Sequence, residues 1–129
     1  MIDNILFKID DYLKTLNLRY VYCGSISLYL HGLNIKEIHD ADIDFIDLSD
    51  NDKYYIYTNN YEYFPIDKMF DIGFPIEYEE IEYKGRIFLI DTLEYELKTK
   101  YKLLEIPNYR KKEKVLKRIE QIKEFINNS

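Results

Sequence analysis

Acidic and apolar residues alternate in the stretch ADIDF, residues 41–45. Successive side chains of a β-strand point to opposite faces of the sheet, so this alternation places Asp42 and Asp44 on one face and sends Ile43 into the core. At a rise of about 3.3 Å per residue the two carboxylates would stand about 7 Å apart. The pattern therefore predicts a strand that carries two like charges side by side.

Two neighbouring carboxylates repel each other, and each raises the pKa of the other. A bound divalent cation removes that cost, because hard oxygen ligands are those that Mg²⁺ and Mn²⁺ prefer. A third acid from an adjacent strand would complete a site for two metal ions about 3.5–4 Å apart. Asp42 and Asp44 are therefore candidate ligands for Mg²⁺ or Mn²⁺.

A Gly-Ser pair lies at the junction of a predicted strand, LRYVYC, and a predicted helix that runs to His31. Free backbone N–H groups and the positive end of the helix meet at such a turn, and this combination binds phosphate. Gly24 would let a phosphate approach the backbone, and the hydroxyl of Ser25 could donate to it. A phosphate site beside a metal site forms the two halves of a phosphoryl or nucleotidyl transfer centre.

The remaining pattern predicts an α+β fold with a mixed sheet, in a single domain that spans residues 1–129. Apolar residues at helical spacing mark a first helix and a last helix, and aromatic-rich or alternating segments between them mark strands. Asp91 and Glu94 form a capping-box pattern at the start of a third helix. The predicted helices are 3–16, 25–31, 91–104 and one through Val115, Leu116, Ile119, Ile122 and Ile126; the predicted strands are 18–23, 41–48, two within 54–64, and a hairpin over 78–90.

Charge is distributed unevenly along the chain, whose net charge is −6. Residues 1–97 hold 8 Lys and Arg against 20 Asp and Glu, whereas residues 98–129 hold 10 against 4. Two interpretations remain open. A basic C-terminal helix could face an anionic substrate or a nucleic acid, or it could simply present a solvated face.

Several classes of protein are disfavoured by composition. The single Cys23 excludes an internal disulfide, and with only His31 and His39 beside it the chain has no zinc-site pattern. No segment approaches the roughly 18 apolar residues of a membrane span, and the first residues carry acids where a signal peptide carries bases. These features predict a cytoplasmic protein with no membrane association.

The Gly-Ser pair and the alternating acids together resemble the signature of the nucleotidyltransferase superfamily, the polymerase-beta-like fold. Gly24, Ser25, Asp42 and Asp44 match that signature, and Gly32 matches the small-residue end of the helix between its two parts. The chain is most similar in character to the small bacterial and phage group that contains AbiEii-like toxins and minimal nucleotidyltransferases. The resemblance extends over residues 18–118, and it implies a nucleotidyltransferase-like mixed sheet flanked by helices, with further helices at the C-terminus.

The resemblance implies a metal-dependent enzyme that moves a nucleoside monophosphate from an NTP such as ATP to a hydroxyl on a protein, an RNA end or a small molecule. Asp42, Asp44 and a third carboxylate would hold Mg²⁺ or Mn²⁺. Asp67 fits the third position best and would help to deprotonate the acceptor. The alternatives for that position are Asp71, Glu77 and Glu79.

The nucleotide would be bound by Gly24 and Ser25, at its β- and γ-phosphates, and by basic residues nearer the C-terminus. Lys100 fits the position of a lysine that the family carries on a helix after a hairpin, with Lys98 and Lys102 as substitutes. Arg110, Lys112 and Glu113 resemble the Arg-x-Lys-Asp element with which the family often ends.

Two other functions compete with this one. The same fold could be catalytically silent and act as the partner of another protein, for example in a toxin–antitoxin or phage-defence pair, and the short chain leaves little room for an acceptor-binding domain. The basic C-terminal helix could alternatively bind nucleic acid, which the overall acidity opposes.

Overall fold

The computed structural model describes residues 2–48, 52–57, 66–71 and 74–128, and within these ranges the side chains at 52, 53, 57 and 67–71 lie outside the description. Four helices and six strands follow one another along the described chain. They are α1 (Ile2–Lys14), β1 (Tyr20–Cys23), α2 (Gly24–His31), β2 (Asp40–Phe45), β3 (Asp52–Tyr57), β4 (Ile66–Asp71), β5 (Tyr78–Tyr83), β6 (Arg86–Asp91), α3 (Leu93–Leu104) and α4 (Lys112–Asn127).

The strands form one sheet in the order β4-β3-β2-β1-β6-β5. Strand β1 runs antiparallel to β2 and parallel to β6, and the remaining neighbours are antiparallel. The predicted α+β class and mixed sheet are therefore confirmed. The parallel pair places the ends of β1 and β6 next to each other, which decides where the site below is built.

Helices α1 and α2 pack on one face of the sheet because their apolar positions recur at helical spacing. The core there joins Leu6, Ile9 and Leu13 of α1 to Tyr22 and Ile43 of the central strands. Ile43 is fully buried in this core, as the alternation of β2 predicts. A second cluster connects Leu28, Leu33 and Ile35 to α4 through Ile122.

One buried acid anchors α1 to the sheet. Asp10 is 1% exposed and accepts hydrogen bonds from the hydroxyls of Tyr20 at 2.8 Å and Tyr22 at 2.9 Å. It also pairs with Lys14 and Arg86, each at 3.3 Å. A buried carboxylate with this many partners is satisfied, so Asp10 stabilises the fold and lies apart from the candidate site.

The end of α2 agrees with the sequence prediction, and the start of α3 differs from it. Gly32 ends α2 in the left-handed region at φ +109°, and its N–H donates to the carbonyl of Tyr29 at 3.1 Å, as expected for a glycine cap. The predicted cap at Asp91 is wrong. Thr92 caps α3 by accepting from the N–H of Tyr95 at 3.1 Å, because Asp91 is still extended and paired with Tyr78 in the sheet.

The last helix keeps its predicted position, but two of its apolar residues do not join the core. Val115, Ile119 and Ile122 are buried, whereas Leu116 and Ile126 are exposed. Among the described residues, no helix is both long enough and apolar enough to cross a bilayer.

Candidate functional site

A cleft of about 1040 Å³ opens where β1 and β2 meet α3 and α4. Its walls include Gly24, Ser25 and Asp42 on the side of the sheet and Lys100 on the side of α3. These four residues are predicted site residues, and the fold brings them into one space. They come from segments far apart in the sequence, which β1–β2 pairing and α3 packing join.

The Gly-Ser turn lies directly against the first acid of β2. Cys23 pairs with Asp42 across the antiparallel ladder, and Gly24 follows with φ +60°, in the left-handed region. A Cβ built at Gly24 would collide with a carboxylate oxygen of Asp42. Glycine is therefore required here both by its backbone angle and by the close approach of the acid.

The second acid of the motif lies deeper. Asp44 is 4% exposed, pairs with Val21 in the ladder and does not line the cleft. It lies close enough to Tyr95 to contribute, after burial and Cys23, to a raised pKa of that phenol. Asp42 thus faces the cleft, and Asp44 stands behind it on the same face of β2.

Asp42, at the cleft wall, has a pKa that its surroundings shift strongly. Burial raises the pKa of Asp42 to about 7; Lys100 opposes this shift, and the neighbouring carboxylates of Glu96 and Asp40 add to it. The ionised form is therefore disfavoured until a further positive charge arrives. A group of this kind in a cleft marks a candidate functional residue.

The carboxylate of Glu96, on α3, lies at the N-terminus of α2. The backbone N–H of Gly24 donates to Glu96 Oε2 at 3.2 Å, and Lys100 Nζ lies 3.3 Å from Glu96 Oε1. Burial alone would raise the pKa of Glu96, but Lys100, a hydrogen bond with Asp91 and the Gly24 amide hold it at about 2. The position that the sequence assigns to a phosphate is thus held by an internal anion.

Asp91 lies beside this pair because β6 runs parallel to β1 and ends level with it. It is completely buried, and its carboxyl group lies within hydrogen-bonding reach of the Glu96 carboxylate when one of the two groups carries a proton. Burial, followed by the Glu96 carboxylate, raises the pKa of Asp91 well above its usual range. The protonated form of Asp91 is therefore favoured beside the ionised carboxylate of Glu96.

Lys100 supplies the positive charge of the site. Its side chain is 16% exposed, and burial would lower its pKa, but Glu96, Asp42 and Asp91 together raise it above the usual value. Its substitutes point elsewhere, since Lys98 pairs with Glu77 and Lys102 with Glu105. Of these three lysines, Lys100 is the one that lines the cleft.

The two other predicted bases are not in the cleft. Arg110 and Lys112 are exposed and do not line it. Because a helix repeats every 3.6 residues, the face that α4 turns to the cleft carries the intervening positions. The bases of that face are Lys111, Lys114, Lys117 and Arg118.

The third carboxylate remains a prediction. Position 67 falls on β4, in line with Tyr55 of β3 and Asp42 of β2 across the sheet, but its side chain lies outside the described residues, as does that of Asp71. The other two candidates lie away from the cleft: Glu77 pairs with Lys98, and Glu79 is exposed.

Sequence reasoning missed Glu96 and Asp91. The signal for Glu96 was a Glu-Lys pair four residues apart on a predicted helix, which usually marks an exposed surface pair. Here the pair is buried, at 3% and 16% side-chain exposure. Asp91 was missed because its position three residues before Glu94 was interpreted as a helix cap.

The donors present fit a divalent cation in part. Asp42 offers a carboxylate whose ionised form a cation would stabilise. Within the residues that the structure describes, no three His, Cys, Asp or Glu side chains are grouped closely enough to hold a metal ion. Further ligands would have to come from Asp44 behind it, from Asp67 or from a bound phosphate.

We expect the stability of the metal-free protein to fall as pH rises through the titration of Asp42. Its pKa is about 7 in the fold against about 3.8 for the ordinary group, so the folded state binds the extra proton in that window. Asp42→Asn should match the wild type near pH 4 and exceed it by about 2 kcal/mol above pH 7. Urea unfolding across this range measures the difference.

Glu120→Gln, at an exposed position on α4, is the matched control and should leave the pH profile of stability unchanged. An Asp42→Asn variant that is clearly less stable than the wild type at both ends of the range would assign Asp42 a purely structural role.

No protein-family model matches this chain, and neither the curated proteins nor the solved structures give a significant match. The residues and geometry of the cleft therefore carry the functional argument.

Proposed function

We propose that the protein is a metal-dependent nucleotidyltransferase that moves a nucleoside monophosphate from an NTP to a hydroxyl acceptor. One observation supports this most strongly. The Gly-Ser turn and the carboxylate of Asp42, whose pKa is raised to about 7, touch each other in a cleft that is also lined by the partly buried Lys100. An anion-binding helix end, a carboxylate that favours a cation and a fixed positive charge are the parts that phosphoryl chemistry requires.

In this proposal the turn binds the β- and γ-phosphates. The first turn of α2 already attracts an anion, since the Gly24 N–H holds the carboxylate of Glu96. An incoming phosphate would take that amide, and Ser25, which lines the cleft, would add its hydroxyl. Lys100 would then neutralise the charge that remains on Glu96 and on the phosphate.

The reaction forms a bond between the acceptor oxygen and the α-phosphorus and breaks the bond from that phosphorus to the leaving pyrophosphate. The acceptor proton passes to a carboxylate, for which Asp67 is the proposed residue. Mg²⁺ or Mn²⁺, held by Asp42 with Asp44 and Asp67 as the other proposed ligands, would supply charge neutralisation at the phosphates. Lys100 stabilises the negative charge that develops as pyrophosphate departs.

A second candidate function is a catalytically silent module of the same fold that binds another protein. A specific observation favours it. The helix end and its neighbouring lysine are already satisfied internally, because Gly24 and Lys100 both contact Glu96. A site that neutralises itself has less need of a ligand.

The test incubates the purified protein with Mg²⁺ or Mn²⁺ and labelled NTPs and measures nucleotide transfer and triphosphate binding. Asp42→Asn and Asp44→Asn should lower transfer by about 100-fold or more while the fold is retained. Asp11→Asn, at an exposed position of α1, should transfer at the wild-type rate. A wild type that binds neither triphosphate nor metal would favour the silent module.

A further inference from the structure

Four bases face the cleft as one surface, which we call the basic stripe. One of them immediately precedes α4 and three lie on it: Lys111, Lys114, Lys117 and Arg118. Their spacing follows the helical period, so the charges repeat along one side of the helix. At about 1.5 Å per residue, the stripe extends about 10 Å along α4. The uneven charge of the sequence is therefore concentrated in part on the cleft wall.

The bases of the stripe differ from Lys98 and Lys102 of α3 in their partners. Lys98 and Lys102 point away from the cleft, and each has an ion pair at 3.3 Å, with Glu77 and Glu105. None of the stripe bases forms an ion pair with any described residue; Arg118 donates only to Gln121, at 3.0 Å. The four bases repel one another along the cleft wall, and a bound polyanion would remove that repulsion.

Both ends of the stripe lie near the candidate catalytic acids. Lys111 lowers the pKa of Asp42, and the Glu96 carboxylate raises the pKa of Arg118 against the effect of burial, so the first and last bases of the stripe each face one of these acids. Lys114 and Lys117 line the same cleft from the neighbouring turn of α4. Several anionic groups in a row would be needed to occupy all four bases.

Aromatic rings accompany the charges. Tyr109, half-buried in the connection that leads into Lys111, and Tyr55, half-buried on β3, both line the cleft. Rings beside a basic groove are how proteins hold single-stranded nucleic acid, because every base presents a π-face and every phosphate a negative charge. An acidic peptide would satisfy the charges but would not use the rings.

We infer that the basic stripe binds the end of a single-stranded nucleic acid, with its phosphates on α4 and its bases against Tyr109 and Tyr55. The role of this strand as the acceptor rests on the proposed nucleotidyltransferase activity. Its binding to the stripe does not depend on that activity. The strand would enter along Lys117 and Lys114 and bring its terminal hydroxyl towards Asp42.

The experiment measures fluorescence anisotropy of a labelled single-stranded oligoribonucleotide, without NTP or metal, over a range of salt concentrations. Lys114→Ala combined with Lys117→Ala removes two phosphate contacts. Each contact on a single strand contributes about 0.7 to the logarithmic salt slope, so the slope should fall by about 1.4 and affinity at 0.1 M salt by about 25-fold. Lys102→Ala combined with Lys123→Ala, which removes two charges outside the cleft, should bind within about twofold of the wild type.

Three outcomes would overturn the inference: no binding by the wild type, equal losses in the two double variants, or equal affinity for a polyglutamate peptide of the same charge. The proposed activity is judged separately by triphosphate binding and transfer. Strand binding without nucleotide transfer would support the inference and refute the proposed activity. Transfer to other acceptors without strand binding would support the proposed activity and refute the inference.

Discussion

Lys100→Met should lower the free energy of unfolding by about 3–5 kcal/mol, because removal of one partner leaves a buried charge without compensation. Lys100 is 3.3 Å from Glu96, whose side chain is 3% exposed, and it also offsets the charge of Asp42. Methionine keeps the length and apolar stem of lysine, so the loss measures the charge. Urea unfolding at neutral pH gives the value.

Lys98→Met is the matched control on the same helix. Lys98 and its partner Glu77 are 54% and 51% exposed, so this pair should contribute about 0–1 kcal/mol. Adding Glu96→Gln to Lys100→Met should recover part of the loss, since the uncompensated anion is then absent. A loss below about 1 kcal/mol for Lys100→Met alone would mean that water, not Lys100, stabilises Glu96.

Gly24→Ala should cost about 3 kcal/mol, through two separate effects at one position. The left-handed angle of φ +60° costs a residue with a Cβ about 1–2 kcal/mol, and the new methyl group must also displace the carboxylate of Asp42. Gly85→Ala separates these effects, because Gly85 has φ +82° and, among the described residues other than its chain neighbours, no atom lies within 4 Å of the point that a Cβ would occupy there. It should therefore cost only the backbone part.

A double-mutant cycle tests the second effect of Gly24→Ala directly. In an Asp42→Ala background the carboxylate is gone and only the Cβ of residue 42 remains, 3.3 Å from the new methyl position, so Gly24→Ala should cost little more than Gly85→Ala does in the wild type. Equal losses from Gly24→Ala in both backgrounds would show that Asp42 does not restrict this position. Thermal or urea unfolding of the four proteins supplies the cycle.

The sequence predicted those parts of the fold that depend on local periodicity. The alternation around Ile43 predicts β2 correctly, and the helical spacing of apolar residues predicts α1 and α4, because each pattern is set by which side chains one element must bury. Helix starts were predicted less well. The capping preference of an aspartate cannot be told from that of the threonine beside it until the end of β6 is known.

The sequence predicts the candidate site only where its residues lie on elements that follow one another closely along the chain. Gly24, Ser25 and Asp42 meet because β1 and β2 form a neighbouring antiparallel pair. Glu96 and Asp91 join them through the parallel pairing of β1 with β6, which no local pattern encodes. The sequence also does not show which bases face the cleft: Lys111 and Lys114 line it and the predicted Arg110 and Lys112 do not, and this depends on how α4 is rotated against the sheet.

The parallel pairing of β1 with β6 also governs how the molecule assembles. Tyr22 lies opposite Ile90, so the two halves of the cleft belong to segments that are translated far apart in time. Contacts of this range close slowly, because a long loop must be ordered before they form. Any molecule that bridges the Gly-Ser turn and α4 would act as a clamp between early and late parts of the chain and would oppose their separation during unfolding.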